Sequence, residues 1–488
     1  MKKILPVMIS ALALNAAIAA APAMAADQAT LDKLTALIEK QQAVLDAQSR
    51  ELSSLREQVQ ALQGQQKETA AEVVEQRKAI TAAPVKPALA KPAAAGTATA
   101  SAASIEKKYV EQGDFPGSIK VPGTDVSFKF GGQIKVDAMY TPDQTAGLSE
   151  DLFQTRTIGT GNQNTGGRSR VHARETRLNV DVRSPTDWGD LRAFAEFDLF
   201  GGSSSAKPQS QVNGYEVRLR HAWVQVGGLM VGQNWSTFND VGAFAETLDF
   251  AQVNGESFIR QPQIRWTQKF DGGWSLAVAA ENPEGDISSD IGPALTTQSD
   301  NVPDMIAALK WEQDWGHLQT GALYRRLGVD NGAVDKSLSG YGVNLSGRIK
   351  TNVFSDKDSL KFQVNYGDGI GRYINDLQVV NGQGFDAALN NATGEVDTIK
   401  AYGGYVSYQA VFSPKWRSNL TGGYVYVDQP NFMPGNMMES TKYLSYNVIW
   451  TPIPKLDLGL EFLYGQRENV NGDDGDAKRV QAAAKYTF

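Results

Sequence analysis

No cysteine occurs among the 488 residues, which excludes disulfides and thiolate metal sites. Histidine is nearly as scarce. His172, His221 and His317 are the only three, and their separation fits no metal-ligand spacing. Beyond the N-terminus no apolar run approaches the ~20 residues of a membrane-spanning helix, and a hydrophobic content of 41% is too low for a bundle of them. The glycine-rich stretch GTGNQNTGG (159–167) lacks the lysine and the strand–helix setting of a phosphate loop. No Ser–His or Asp–His pair of the kind a barrel-embedded hydrolase needs can be assembled. A formal charge of −7 gives no footing for nucleic acid as a partner. Neither catalysis nor a cofactor is expected.

What remains is organised around the end of the chain. In AKRVQAAAKYTF (477–488), Val480, Ala482, Ala484, Tyr486 and Phe488 alternate with Arg479, Gln481, Ala483, Lys485 and Thr487. Period two is a strand with one apolar and one wet face. An aromatic last residue suits a strand that closes a membrane barrel by pairing with the first one, its apolar face towards lipid. A soluble edge strand is the alternative, and the preceding sequence argues against it.

The N-terminus reads as a secretory signal over residues 1–25. Lys2 and Lys3 come first, an apolar stretch from Ile4 to Ala20 follows, and Ala23-Met24-Ala25 is a small-x-small cleavage site. Residues 26–80 read as a periplasmic coiled coil. Leu31, Ile38, Leu45, Leu52, Val59, Val73 and Ile80 keep seven-residue spacing, broken only at Gln66. Positions off the seam are mostly polar, which favours self-association over a helix lying on its own protein. Residues 81–104 are an Ala/Pro-rich linker, extended around Pro84, Pro87 and Pro92. Residues 105–488 form the barrel domain.

From Val126 onward strand patterns alternate with punctuation of two sizes. Tight turns at SPTDWGD, Gly227-Gly228, Asp271-Gly272-Gly273, Trp315-Gly316, Ser355-Asp356-Lys357, Ser413-Pro414 and Pro452-Ile453-Pro454 alternate with long polar loops. The pattern predicts an all-β transmembrane barrel of about sixteen antiparallel strands, long loops outside and short turns in the periplasm. Both termini, and hence the rod, then lie in the periplasm. Trp188, Trp274, Trp315, Trp416 and Trp450 gather at the short turns as an interfacial girdle.

Three stretches carry a family resemblance. FPGSIKVPGTDVSFKFGGQIKVDAMY (Phe115–Tyr140), RVHARETRLNVDVRSPTDWGDLRAFAEFDLFG (Arg170–Gly201) and LRHAWVQVGGLMVGQNWSTFND (Leu219–Asp240) resemble the DcaP-type porins of Gram-negative outer membranes. The resemblance spans about Ile105 to Phe488, and the rod and linker match the family's layout. It implies a homotrimer of sixteen-stranded channels above a trimeric coiled coil. It also implies passive uptake of small anionic solutes such as dicarboxylates.

Alternation alone assigns the lumen side. Leu178, Val180 and Val182 outward put Arg177 and Arg183 inward. Ala193, Ala195 and Phe197 outward put Arg192, Glu196 and Asp198 inward. Val217 and Leu219 outward put Arg218 and Arg220 inward. Arg265 opposes Ile264 and Trp266, Arg348 opposes Leu345 and Ile349, and Arg260 sits where the third long loop rejoins the wall. Arginine suits planar, bidentate contact with carboxylates. These eight are the candidate solute-binding residues, collectively more than singly, because polar barrel walls also carry arginines that merely pair with loop acids. The third loop (234–257) mixes Phe238, Phe244, Leu248 and Phe250 with Asp240, Glu246, Asp249 and Glu256. Such a segment belongs inside the lumen as a constriction. A lid or a subunit contact is the alternative. A rival function is an envelope tether or adhesin, with the rod reaching peptidoglycan and the barrel as its anchor in outer-membrane lipid.

Overall fold

Apolar side chains in this protein are exposed and polar ones buried, which inverts the order of a soluble domain. In the computed structural model, Val480 and Tyr486 are open to the outside while Arg479 and Gln481 are each 1% exposed. Tyr341, Val343 and Leu345 alternate in the same way with buried Asn344 and Ser346. The structure describes residues 111–142, 151–161, 167–201, 215–291, 302–378 and 383–488. The signal segment, the heptad rod and the Ala/Pro linker fall outside the described residues.

Sixteen antiparallel strands build the wall. They are β1 (Ser127–Thr141), β2 (Arg177–Thr186), β3 (Gly189–Asp198), β4 (Arg218–Val226), β5 (Leu229–Trp235) and β6 (Arg260–Lys269). Then come β7 (Trp274–Glu281), β8 (Asp304–Gln313), β9 (Gly316–Asp330), β10 (Asp335–Lys350) and β11 (Ser359–Asp368). The last are β12 (Lys400–Ser413), β13 (Trp416–Asp428), β14 (Met438–Ile453), β15 (Leu456–Asn469) and β16 (Asp474–Thr487). Each pairs with the next, and β16 pairs back on β1 from Val480↔Tyr140 to Thr487↔Gln133. Phe488 N–H adds a bond to the Gly132 carbonyl at 3.1 Å. The sheet therefore closes and leaves no edge in the membrane.

Local chemistry explains two irregularities. Gly132 holds a φ of +152° where β1 crosses β2, and a Cβ there would lie 2.2 Å from the Arg177 carbonyl oxygen, so only glycine fits. Between β3 and β4 the register shifts at Glu196/Phe197. This bulge lets the neighbours Arg220 and His221 both sink into the wall, at 3% and 6% exposure.

The short-turn rim carries the tryptophan girdle. Trp274 stacks on Trp311 at 5.5 Å, and Trp416 on Trp450 at 5.7 Å. Two sequence expectations need correction. The alternation in RETRLNVDVR (174–183) predicts a strand from Arg174, but β2 begins at Arg177. Arg168–His172 and β2 both pair with β1, and residues 173–176 interrupt them. The loops opposite the short turns are also not uniformly long. β9 and β10 are joined by 331–334 and β15 and β16 by 470–473, because those strands extend further than the apolar pattern indicates.

Candidate functional site

The third loop enters the barrel and runs along its inner wall. Asp240 accepts hydrogen bonds from His317 of β9 at 2.8 Å and Ser346 of β10 at 2.9 Å. The Phe244 carbonyl accepts from Lys361 of β11, and the Ala243 carbonyl from the Tyr405 hydroxyl of β12. Glu246 receives Arg417 of β13 at 2.8 Å and Gln409 of β12 at 2.6 Å. Leu248 and Asp249 donate their N–H groups to Glu461 of β15. Asp249 also pairs with Arg479 of β16 at 3.3 Å, and the Leu248 carbonyl accepts from Lys135 of β1 at 2.6 Å. Burial pushes the Glu246 carboxyl up, but the hydrogen bonds and charge of Arg417 prevail and hold it below its ordinary value. Glu256, deeper and without an ionic partner, is pushed well above the carboxylate range by burial.

Phe238, Leu248 and Phe250 of this loop are buried, as an infolded segment requires. Phe244 packs edge-on against Trp235 at 5.1 Å. Phe250 reaches the wall that the loop does not line. There it stacks on Phe200 at 4.5 Å, and the guanidinium groups of Arg177, Arg218 and Arg220 stand 5.6, 5.4 and 5.5 Å from its centroid. Arg260 lies 3.6 Å over the Trp235 ring, close enough to repel Arg220, Arg218 and Arg177. Aromatic faces make this crowding of cations tolerable.

The carboxylates of the cluster do not neutralise it evenly. Arg218 pairs with Asp198 at 2.6 Å, while Arg220 takes Glu196 at 2.7 Å and Asp198 at 2.9 Å. Arg177 and Arg260 have no carboxylate partner among the described residues, and Arg177 Nε and both Nε and Nη2 of Arg260 are buried without a hydrogen bond. A buried donor left unmatched is costly. Three such donors on these two guanidinium groups lack the acceptor that would satisfy them among the described residues.

Four of the eight candidate arginines thus converge on Phe250 and Trp235. Arg183 and Arg192 stand together towards the short-turn rim and share Asp181 at 2.8 and 2.9 Å, with Phe115 against Arg183 at 4.2 Å. Arg265 stands apart, and Arg348 belongs to the far wall on β10. Of the eight candidates, those that are paired (Arg183, Arg192, Arg218 and Arg220) have wall acids as partners, while the wall–loop pairing anticipated from the sequence falls to other wall arginines. The loop acids are taken by Arg417, Arg479 and His317. His221, which strict alternation with Leu219 would turn outward, faces the lumen between Phe194 and Trp235 because the bulge reverses its side.

The described parts of a second loop, 369–378 and 383–399, also fold inward, which no alternation foretold. It pairs with the third loop through Phe258 N–H to the Tyr373 carbonyl at 3.2 Å and Asn375 N–H to the Glu256 carbonyl at 2.7 Å. A three-stranded sheet of Ile287–Ser289, Ala387–Leu389 and Val396–Thr398 ties it to the loop after β7.

The profile of the family described as "DcaP outer membrane protein" matches residues 102–488. The chain belongs to the DcaP outer membrane protein family. Its fold is that of an outer-membrane porin. The crystal structure of the outer membrane channel DcaP of Acinetobacter baumannii superposes with a TM-score of 0.63 at 22% identity, covering 76% of this chain and 99% of that one. OmpT of Vibrio cholerae in its trimer form gives 0.48 at 11% identity over 74% and 99%, a likeness on which nothing here rests. No match was found among curated proteins. In this DcaP-family barrel the lumen-facing arginines and both infolded loops lie within the matched segment.

Proposed function

We propose that this DcaP-family protein is a passive outer-membrane porin that prefers small anionic solutes such as dicarboxylates. The observation that carries the preference is the pair Arg177 and Arg260, which present unmatched buried donors at the lumen face, Arg177 beside Phe250 and Arg260 over Trp235. Net charge is the wrong guide, since a pore responds to what lines its narrow section. The cluster lies in a low-dielectric wall that focuses its field. A carboxylate arriving there gains bidentate contacts that water made poorly. The third loop, pinned across the wall from β9 round to β1, sets the constriction.

On this reading the short turns and both termini are periplasmic, and the heptad seam holds a homotrimer in outer-membrane lipid. A mass measured in mild detergent would test assembly, and a monomer would refute it. The test of function is the reversal potential across a planar bilayer under a salt gradient. Anion preference is expected for the wild type, reduced in Arg177→Gln and Arg260→Gln. Cation preference in the wild type overturns the proposal. The heptad seam also supports a second reading, a tether or adhesin reaching peptidoglycan. Deleting residues 27–104 abolishes cell-wall association if that reading holds and spares conductance if the porin reading holds.

A further inference from the structure

Among the like-charged cross-strand pairs of the barrel, two set an arginine directly opposite a second arginine or a lysine. Arg183 of β2 faces Arg192 of β3. Arg348 of β10 faces Lys361 of β11. Such pairs are destabilising unless something bridges them. The first pair is bridged, because both guanidinium groups hydrogen-bond Asp181. The second is not. Lys361 gives its ammonium to the Phe244 carbonyl. Arg348 has no carboxylate partner among the described residues, and its Nε is buried without a hydrogen bond.

Arg348 opens on a cavity of about 500 Å³ at the short-turn rim, between the β10–β11 turn and the β12–β13 turn. Lys350, Lys357 and Arg417 line it as well, against the single acid Asp356. Neither Lys350 nor Lys357 forms an ion pair among the described residues, so the field there is positive. Arg417 also lines a second cavity, of about 230 Å³, whose far side is Arg177. The two basic walls therefore share a continuous lining, with Arg417 common to both cavities.

We propose that the cavity bounded by Arg348, Lys350, Lys357 and Arg417 is a second anion station, which takes a small carboxylate after it leaves the Arg177–Arg260 cluster. The anion supplies the counter-charge that Arg348 lacks, as Asp181 does for Arg183 and Arg192. Arg417 stays bound to Glu246 and Asp457, so the charge of the station comes from Arg348, Lys350 and Lys357. Two stations on opposite walls let a solute step across the lumen beneath the third loop. A single deep site would instead hold it, and conduction needs sites weak enough to leave. The inference rests on the porin reading above and adds a site to it.

The experiment uses the full chain in planar bilayers with inserted channels of one orientation. Sodium malonate is the probe, added to one side at a time, and the half-blocking concentration of chloride current is read for each side. In Arg348→Gln/Lys350→Gln, malonate from the short-turn side should need about fivefold more for half-block, the loss of close charges in wet surroundings. The ratio between the two sides should move accordingly, and Arg260→Gln should move it the opposite way. An unchanged ratio in the double variant overturns the station while leaving the porin reading intact. Cation preference in the wild type overturns the porin reading itself. If the double variant fails to assemble, Lys350→Gln/Lys357→Gln at the exposed rim is measured instead, with a smaller shift of the same sign expected and no shift refuting the site.

Discussion

Replacing Glu246 by Gln isolates the middle anchor of the third loop. Glu246 receives Arg417 through contacts of 2.8 and 3.0 Å and Gln409 at 2.6 Å. A hydrogen bond to a charged group contributes about 1.5–3 kcal/mol. The amide keeps one acceptor, and Arg417 keeps Asp457 at 2.8 Å. Both side chains are also partly open, at 20% and 27% exposure, so solvent screening discounts the loss. The expected cost is about 2 kcal/mol, roughly a thirtyfold rise in local opening of the loop. Amide hydrogen exchange at residues 244–248 reads this directly, and flicker in single-channel current should rise with it. Glu256→Gln is the comparison. Burial raises that carboxyl well above its ordinary value, and it holds no ion pair among the described residues, so exchange there should change by no more than about twofold. If Glu246→Gln leaves exchange at 244–248 within about threefold of wild type, the anchor does not hold the loop and the reasoning fails.

The same anchor has a pH signature. The Glu246 value is depressed in the folded state, so its contribution is complete above the ordinary carboxylate pKa and is lost as pH falls through the lower folded value. The exchange difference between wild type and Glu246→Gln should hold from about pH 8 to pH 5 and shrink as the pH is taken below the ordinary carboxylate value of about 4.3. Arg479→Ala leaves Asp249 buried without its cation, at a cost of about 3–5 kcal/mol. The temperature at which the folded form is lost on an unheated-to-heated gel series should drop, and an unchanged transition would count against the pair. Gly255 has a φ of +74°, and a Cβ there would lie 2.5 Å from the Gly404 nitrogen. Gly255→Ala should therefore displace the loop, at about 1–3 kcal/mol, and alter single-channel conductance. Wild-type conductance in that variant would show that the loop's seat is not tight.

The wall was legible in the sequence because two simple periods carry it. A lipid-facing strand must show alternate apolar residues, and a tight turn must show Gly, Pro or Asp. The same parity placed Arg177, Arg218 and Arg220 in the lumen. It also reaches Arg417, whose neighbours Leu420 and Tyr424 face outward, and Lys361 opposite Arg348, although neither stood out by residue type alone. His221 escaped because a one-residue bulge reverses parity, and nothing local marks the bulge. The loop 369–399 escaped for another reason. Its seat depends on Arg325, which is fully buried against Asp386 at 2.9 Å, and a pairing across 61 residues leaves no periodic trace. The partners of the loop acids were likewise decided by where the loop lands, not by its composition.

The third loop leaves the wall after β5 and lands on β15, β16 and β1. Asp249 holds Arg479 on the last strand, while the adjacent Leu248 carbonyl holds Lys135 on the first. It thus spans the seam where the two ends of the sheet meet. The contacts that seat the constriction therefore also fasten the closure of the cylinder. A barrel caught before its ends join has no seat for the loop, and hence no constriction. A barrel that closes with the loop outside forfeits the two contacts that fasten its own seam from within.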